Sequence, residues 1–236
     1  VSAVLEVTAA GEWGAHVGAL LALRLEQEPG RRLCLPTGST PIPVYRSFAA
    51  MGGRLNETDV FLLDEFVLPP GHRARCDEML KRDLLDLLDH PPRTLDRLDV
   101  DADSLDDECA RYRSVVESAG LDLTLLGLGA NGHLGLNEPG AAADSITRVV
   151  SLHPVTTRVA AGYGEGETPR RGATLGMSEI LASHEIWLLA TGEHKADILH
   201  RALTGPVEPG VPASFLQHHP RTLVLADADA ARLMAD

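Results

Sequence analysis

Apolar runs alternate along this chain with stretches of helical periodicity, and that alternation limits the fold more than any other feature. The runs are RLCLPT (32–37), DVFLLDEF (59–66), LDLTLLGLG (121–129), TRVVSL (147–152), EIWLLATG (185–192) and RTLVLAD (221–227). Between and around them, 11–28, 41–51, 75–89, 104–118, 194–203 and 227–235 read as helices. Strands that are apolar almost throughout need cover on both faces, and a following helix supplies it. The expectation is an α/β chain of three layers, Rossmann-like, with a mostly parallel central sheet and helices on both faces. With 236 residues, no internal repeat and no low-complexity linker, residues 1–236 read as one domain.

Charge narrows the partners. The formal net charge of −13 argues against nucleic acid, whose phosphates call for a basic face. A phosphorylated small molecule is still admissible, because a local anion site needs only a few N–H groups and one or two cations. Of the 21 basic Lys and Arg residues only two are lysines, Lys81 and Lys195. No apolar run approaches the ~18 residues of a membrane span, and the amino terminus has no signal-peptide pattern. Cys34, Cys76 and Cys109 are few and widely spaced, so a reduced, cytoplasmic setting is expected, with no membrane partner.

On a parallel sheet, ligands bind beyond the carboxyl ends of the strands. Four motifs fall there. In LCLPTGSTP, Thr37, Gly38, Ser39 and Thr40 follow a strand and Pro41 opens a helix, a cradle for a phosphate or carboxylate. A plain turn with a Ser/Thr cap would use the same residues. The loop is not a Walker loop, since GxxxxGK[ST] is missing. In FLLDEF, Asp64 and Glu65 leave a strand together, and a carboxylate held in a cleft has its pKa raised towards that of a working base. A solvated strand end would look alike.

The third motif, LLGLGANGHLGLNEPG (125–140), breaks from a strand into glycines around Asn131, His133 and Glu138. An amide, an imidazole and a carboxylate at that spacing form a proton-transfer set. In the fourth, LLATGEHKA (188–196), Lys195 enters the first turn of a helix, where it opposes the dipole unless an anion is present.

Together these stretches resemble the glucosamine-6-phosphate deaminase (isomerase) family, in order and spacing, from LPTGSTP to SFLQHHP (214–220). The same superfamily holds 6-phosphogluconolactonase, which resembles this chain in the strand–TGS loop and a glycine–histidine segment. The lactonase pattern D-G-H-x-A-S-L-F-P lacks the glutamate that NEP supplies here, so the set Asp64, His133 and Glu138 resembles the deaminase.

The resemblance implies an isomerising deamination with neither metal nor organic cofactor. His133, oriented by Glu138 and Asn131, would help open the pyranose of an amino sugar phosphate. Asp64 would carry the C2 proton to C1, and hydrolysis of the resulting imine would release ammonium and fructose 6-phosphate. Lys195 and the Thr37–Thr40 loop would hold the phosphate. Family members carry Asp or Asn at the position of Asn131.

Three departures accompany the resemblance. A phosphate-binding arginine of the family falls at Tyr163 here, leaving Arg170, Arg171 and Arg75 as candidate substitutes. A Ser-Tyr pair of the family is Arg75-Cys76. Allosteric members have a basic pair near Arg148 and a longer carboxyl-terminal tail, whereas this chain has Val150 and ends at Asp236, so allosteric activation is not expected. A monomer or small homo-oligomer is expected. Hydrolysis of a sugar-phosphate lactone and a non-catalytic sugar-phosphate sensor are the competing readings.

Overall fold

The computed structural model describes residues 3–234. Its strands are β1 (Val4–Thr8), β2 (Arg32–Leu35), β3 (Asp59–Leu62), β4 (Asp64–Phe66), β5 (Thr94–Asp96), β6 (Leu123–Gly127), β7 (Arg148–Ser151), β8 (Arg171–Thr174), β9 (Ile186–Ala190) and β10 (Thr222–Asp227). The α-helices are α1 (Trp13–Gln27), α2 (Ile42–Ala50), α3 (Cys76–Asp83), α4 (Leu105–Ala119), α5 (Pro154–Ala160), α6 (Met177–Leu181) and α7 (Ala196–Thr204).

Seven strands form a parallel sheet in the order β1-β10-β9-β6-β2-β3-β5. Successive residues of the central strands serve opposite cores. Leu33 and Leu35 pack with α1, α2 and α3, while Cys34 packs on the face covered by α4, α6 and α7. Trp187 and Leu189 against Leu188 and Ala190 repeat the division in β9. Side chains of a strand alternate between its faces, so two apolar faces require the continuous apolar runs seen in the sequence.

The connections leaving β2 and β6, which are neighbours, run to opposite sides: β2 leads to β3 and β6 to β9 in the order of the sheet. Such a reversal opens a crevice at the carboxyl ends of the two strands. The loops at 36–41 and 128–137 both begin there.

Several boundaries differ from expectation. The run 59–66 is two strands, because the chain turns at Leu63. Its N–H still bonds to Leu35 of the parallel sheet (3.1 Å), but its carbonyl accepts from Leu175 (3.0 Å). Past that residue the chain joins a separate antiparallel sheet, β4-β8-β7. Helix 75–89 ends at Asp83 and continues as a 3-10 turn at Leu85–Leu87, and α7 begins at Ala196 after a 3-10 turn at Glu193–Lys195. Residues 228–234 form turns instead of a helix. There the Asp227 carboxylate accepts from Ala230 N–H (2.7 Å) and Gly192 N–H (2.9 Å), which satisfies the local backbone without helical bonds. Residues 235 and 236 lie outside the described residues.

Candidate active site

A cavity of about 340 Å³ occupies the crevice. Seven of the nine site residues singled out in the sequence line its wall, and the other two stand behind it. Thr37, Gly38, Ser39 and Thr40 line it from β2, Asp64 from the start of β4, His133 from the loop after β6, and Lys195 from the turn before α7. Asn131 stands behind His133, and Glu138 behind Asn131 in turn.

The Asp64-Glu65 pair divides by direction. Adjacent residues of a strand face opposite ways, so Asp64 enters the cavity while Glu65 turns into the protein. Glu65 there accepts the N–H groups of Phe66 (2.8 Å), Cys76 (2.6 Å) and Asp77 (2.9 Å), closing the amino end of α3. Asp64 is 7% exposed, and its one hydrogen bond among the described residues comes from the Cys76 thiol to Oδ1, at 3.5 Å. Burial raises its pKa to about 6, against the opposing pull of Cys76 and of His133. A carboxylate with that value changes charge close to neutrality.

The glycine-rich loop positions the imidazole. A Cβ on Gly129 would lie 2.4 Å from the His133 ring, so the ring rests against bare backbone. Gly135 takes a φ of +58° beside Asp64, and a Cβ there would sit 3.3 Å from Oδ2 and 3.0 Å from Thr174 Oγ1. Asn131 Oδ1 accepts from the His133 backbone N–H (3.2 Å) and pairs with Nδ1 (2.7 Å). Asn131 Nδ2 donates to Glu138 Oε2 at 2.9 Å. Nδ1 is also 3.4 Å from that Oε2 and 3.2 Å from Thr156 Oγ1.

Glu138 is held from a second side, since Oε1 accepts from His153 N–H (3.1 Å) at the start of α5. Burial works to raise its pKa, but hydrogen bonds from His133, Thr156 and Asn131 together with the His133 charge hold it at about 2. It stays ionised. The neighbouring Asn137 is a structural residue: Nδ2 donates to the carbonyls of Leu134 (3.0 Å) and Leu175 (2.8 Å), pinning the loop to the second sheet.

Lys195 is half-buried and has no acidic partner among the described residues; burial lowers its pKa. It shares the cavity with the Thr37–Thr40 loop and with Tyr163, whose hydroxyl comes within 3.0 Å of where a Cβ on Gly38 would be. Burial raises the Tyr163 pKa, opposed by hydrogen bonds from the Ser39 backbone and side chain. The arginines considered as substitutes lie elsewhere. Arg75 pairs with Asp101 (2.8 Å) and Asp77 (3.5 Å), and Arg170 and Arg171 are exposed and do not line the cavity.

Thr156, His194 and Cys76 also belong to the cavity wall, and the sequence motifs point to none of them; Cys76 stands out only as half of the Arg75-Cys76 departure. Thr156 belongs to α5, a helix not expected from its β-branched composition. Its start is nonetheless marked in the sequence, by Pro154 at the first helical position and His153, whose Nδ1 accepts from Val155 N–H at 3.2 Å. Among the described residues no group of three or more His, Cys, Asp or Glu is placed to hold a metal, and no helix is long and apolar enough to cross a membrane.

Residues 8–225 match the family model described as glucosamine-6-phosphate isomerases/6-phosphogluconolactonase. The chain is 39% identical over 228 residues to a glucosamine-6-phosphate deaminase of Rhodopirellula baltica, covering 93% of this chain and 91% of that one. It is 39% identical over 227 residues to the enzyme of that name from Cutibacterium acnes, covering 91% and 87%. Among solved structures it is similar to a monomeric glucosamine-6-phosphate deaminase, with a TM-score of 0.89 and 30% identity over 99% of this chain and 100% of that one. A 6-phosphogluconolactonase from Thermotoga maritima shares the fold at a TM-score of 0.77 and 21% identity, over 96% of this chain and all of that one.

Proposed function

The chain belongs to the glucosamine-6-phosphate isomerase/6-phosphogluconolactonase family, and within it we propose that it converts D-glucosamine 6-phosphate and water to D-fructose 6-phosphate and ammonium. The observation that carries this reading is one cavity holding a buried carboxylate, an imidazole wired to a second carboxylate, and an unpaired lysine beside a strand–helix loop. Deaminase relatives at 39% identity over more than nine-tenths of the chain support it.

In this reading the phosphate lies against the Thr37–Thr40 backbone and Lys195. The N-terminus of α2 and the ammonium group share its charge. His133 relays a proton between the ring oxygen and the anomeric oxygen as the pyranose opens. Nδ1 is held by Asn131, Thr156 and Glu138, which leaves Nε2 to act on the sugar. Asp64 then takes the proton from C2 of the open aldose, giving an enolamine, and returns it to C1. The product is an imine at C2, and water adds there to expel ammonia, which leaves as ammonium. One carboxylate with a pKa of about 6 serves both as base and as conjugate acid, which suits a proton moved between adjacent carbons.

The chain acts as one domain, as a monomer or small homo-oligomer, in the cytoplasm, on a small-molecule amino sugar phosphate. The test is a substrate panel: ammonium release from glucosamine 6-phosphate and galactosamine 6-phosphate, and hydrolysis of 6-phosphogluconolactone. Ammonium from glucosamine 6-phosphate is expected, with no lactone turnover above the uncatalysed rate. Lactone hydrolysis alone would assign the chain to the other branch of the family, and binding with no turnover would make it a sensor.

A further inference from the structure

Asp64 is tied down by a single thiol. Among the described residues its only hydrogen bond is the one Cys76 Sγ donates to Oδ1, at 3.5 Å, a normal length for sulfur. Cys76 is 1% exposed and is itself held from behind, since its N–H donates to Glu65 Oε1 at 2.6 Å. The two acidic residues of β4 therefore grip the same residue, Glu65 by its backbone and Asp64 by its side chain. With Oδ1 engaged, Oδ2 remains beside Gly135 in the cavity wall, within 3.3 Å of where a Cβ on that glycine would be.

We propose that Cys76 is a positioning residue for the proton-transfer base: its thiol proton fixes the Asp64 carboxylate so that Oδ2 faces the substrate carbon. The proposal rests on the reading of Asp64 as that base. Several titratable groups lie within electrostatic reach of Asp64: Cys34 from β2, Tyr45 from α2, Cys76 from α3, His133 from the glycine-rich loop and Tyr163 from the segment after α5. Of these only His133 can carry positive charge, and only Cys76 donates a hydrogen bond to the carboxylate. Loss of the thiol donor destabilises the ionised carboxylate and frees its rotation about Cβ–Cγ. Both effects act on the proton-transfer step and are read in kcat.

The experiment compares Cys76→Ala, Cys76→Val and Cys76→Ser with the parent, by kcat, KM and the pH dependence of kcat/KM for ammonium release from glucosamine 6-phosphate. Alanine and valine lack a donor and bracket the volume of the thiol; serine keeps a donor. Both donorless variants are expected to lose about three- to tenfold in kcat with KM within twofold, and to move the acidic limb up by about half a pH unit. Serine is expected to retain the parent's limb. A parental kcat and limb in the donorless variants would overturn the proposal, and so would equal impairment of all three, which marks a packing role. If Asp64→Asn kept turnover, the reading of the base would fail instead, an outcome separate from either.

Discussion

Asn131 and Glu138 are joined by a hydrogen bond of 2.9 Å from Nδ2 to Oε2. That bond fixes which end of the amide meets His133: Oδ1 faces Nδ1 at 2.7 Å, so Nδ1 carries the proton of the neutral ring. Glu138 thus sets the histidine tautomer through Asn131 as well as by its own charge, in the manner of a second carboxylate behind a working imidazole.

Asn131→Ala removes this control without touching the cavity wall. A loss in kcat of about 10- to 100-fold is expected, with a melting temperature within a few degrees of the parent. Steady-state kinetics and a thermal melt check it together; an unchanged kcat would show that the tautomer is set elsewhere.

Asp64 and Glu138 predict opposite effects of pH on stability. The folded pKa of Asp64 is raised from 3.8 to about 6, so its contribution to stability is full below pH 4 and is lost as pH rises through 6. Asp64→Asn is therefore expected to stabilise the fold at pH 7.5, by about 2–3 kcal/mol, with the difference vanishing near pH 4. The folded pKa of Glu138 is lowered from 4.5 to about 2, so its contribution is present above pH 4.5 and is lost as pH falls through 2. Glu138→Gln is expected to destabilise at pH 7.5 and to match the parent near pH 2. Denaturant melts across pH test both signs.

Much of this was legible in advance, for physical reasons that can be named. Strands β2, β6, β9 and β10 are buried on both faces, and only an uninterrupted apolar run can meet that demand. β1 and β5 are edge strands with exposed positions, and β8 carries a glycine in four residues, so none declares itself. The break at Leu63 is invisible because Leu62, Leu63 and Phe66 are all buried while the chain changes sheets between them. In the site, the residues whose chemistry is unusual for their setting could be found: a carboxylate after an apolar strand, a histidine among glycines, a lone lysine at a helix start. Thr156 looks ordinary along the chain, and Tyr163 and Cys76 stand out there only as departures from the family's residues; all three reach the cavity through the packing of α5 and α3.

Lys195→Ala is expected to raise KM for the phosphorylated sugar about ten- to a hundredfold, the cost of one charge-assisted contact. Arg171→Ala removes an exposed cation outside the cavity and is expected to leave KM within twofold. Inorganic phosphate as a competitive inhibitor gives an independent reading. Equal effects of the two substitutions would place the anion elsewhere.

Tyr163→Phe keeps the ring and deletes the hydroxyl that meets Ser39 at the loop. A rise in KM of about three- to tenfold with kcat unchanged is expected, as for one neutral hydrogen bond at the phosphate end. A fall in kcat alone would move Tyr163 from the phosphate to the reacting carbons.

That Asp64 moves the C2 proton is checked by assaying the parent and Asp64→Asn side by side. Ammonium release from glucosamine 6-phosphate is measured at saturation, with binding of the same sugar followed by calorimetry. Binding within a few-fold of the parent is expected, with turnover lowered by about 10²- to 10⁴-fold, because an amide cannot accept the proton. Turnover within a few-fold of the parent would exclude Asp64 as the base.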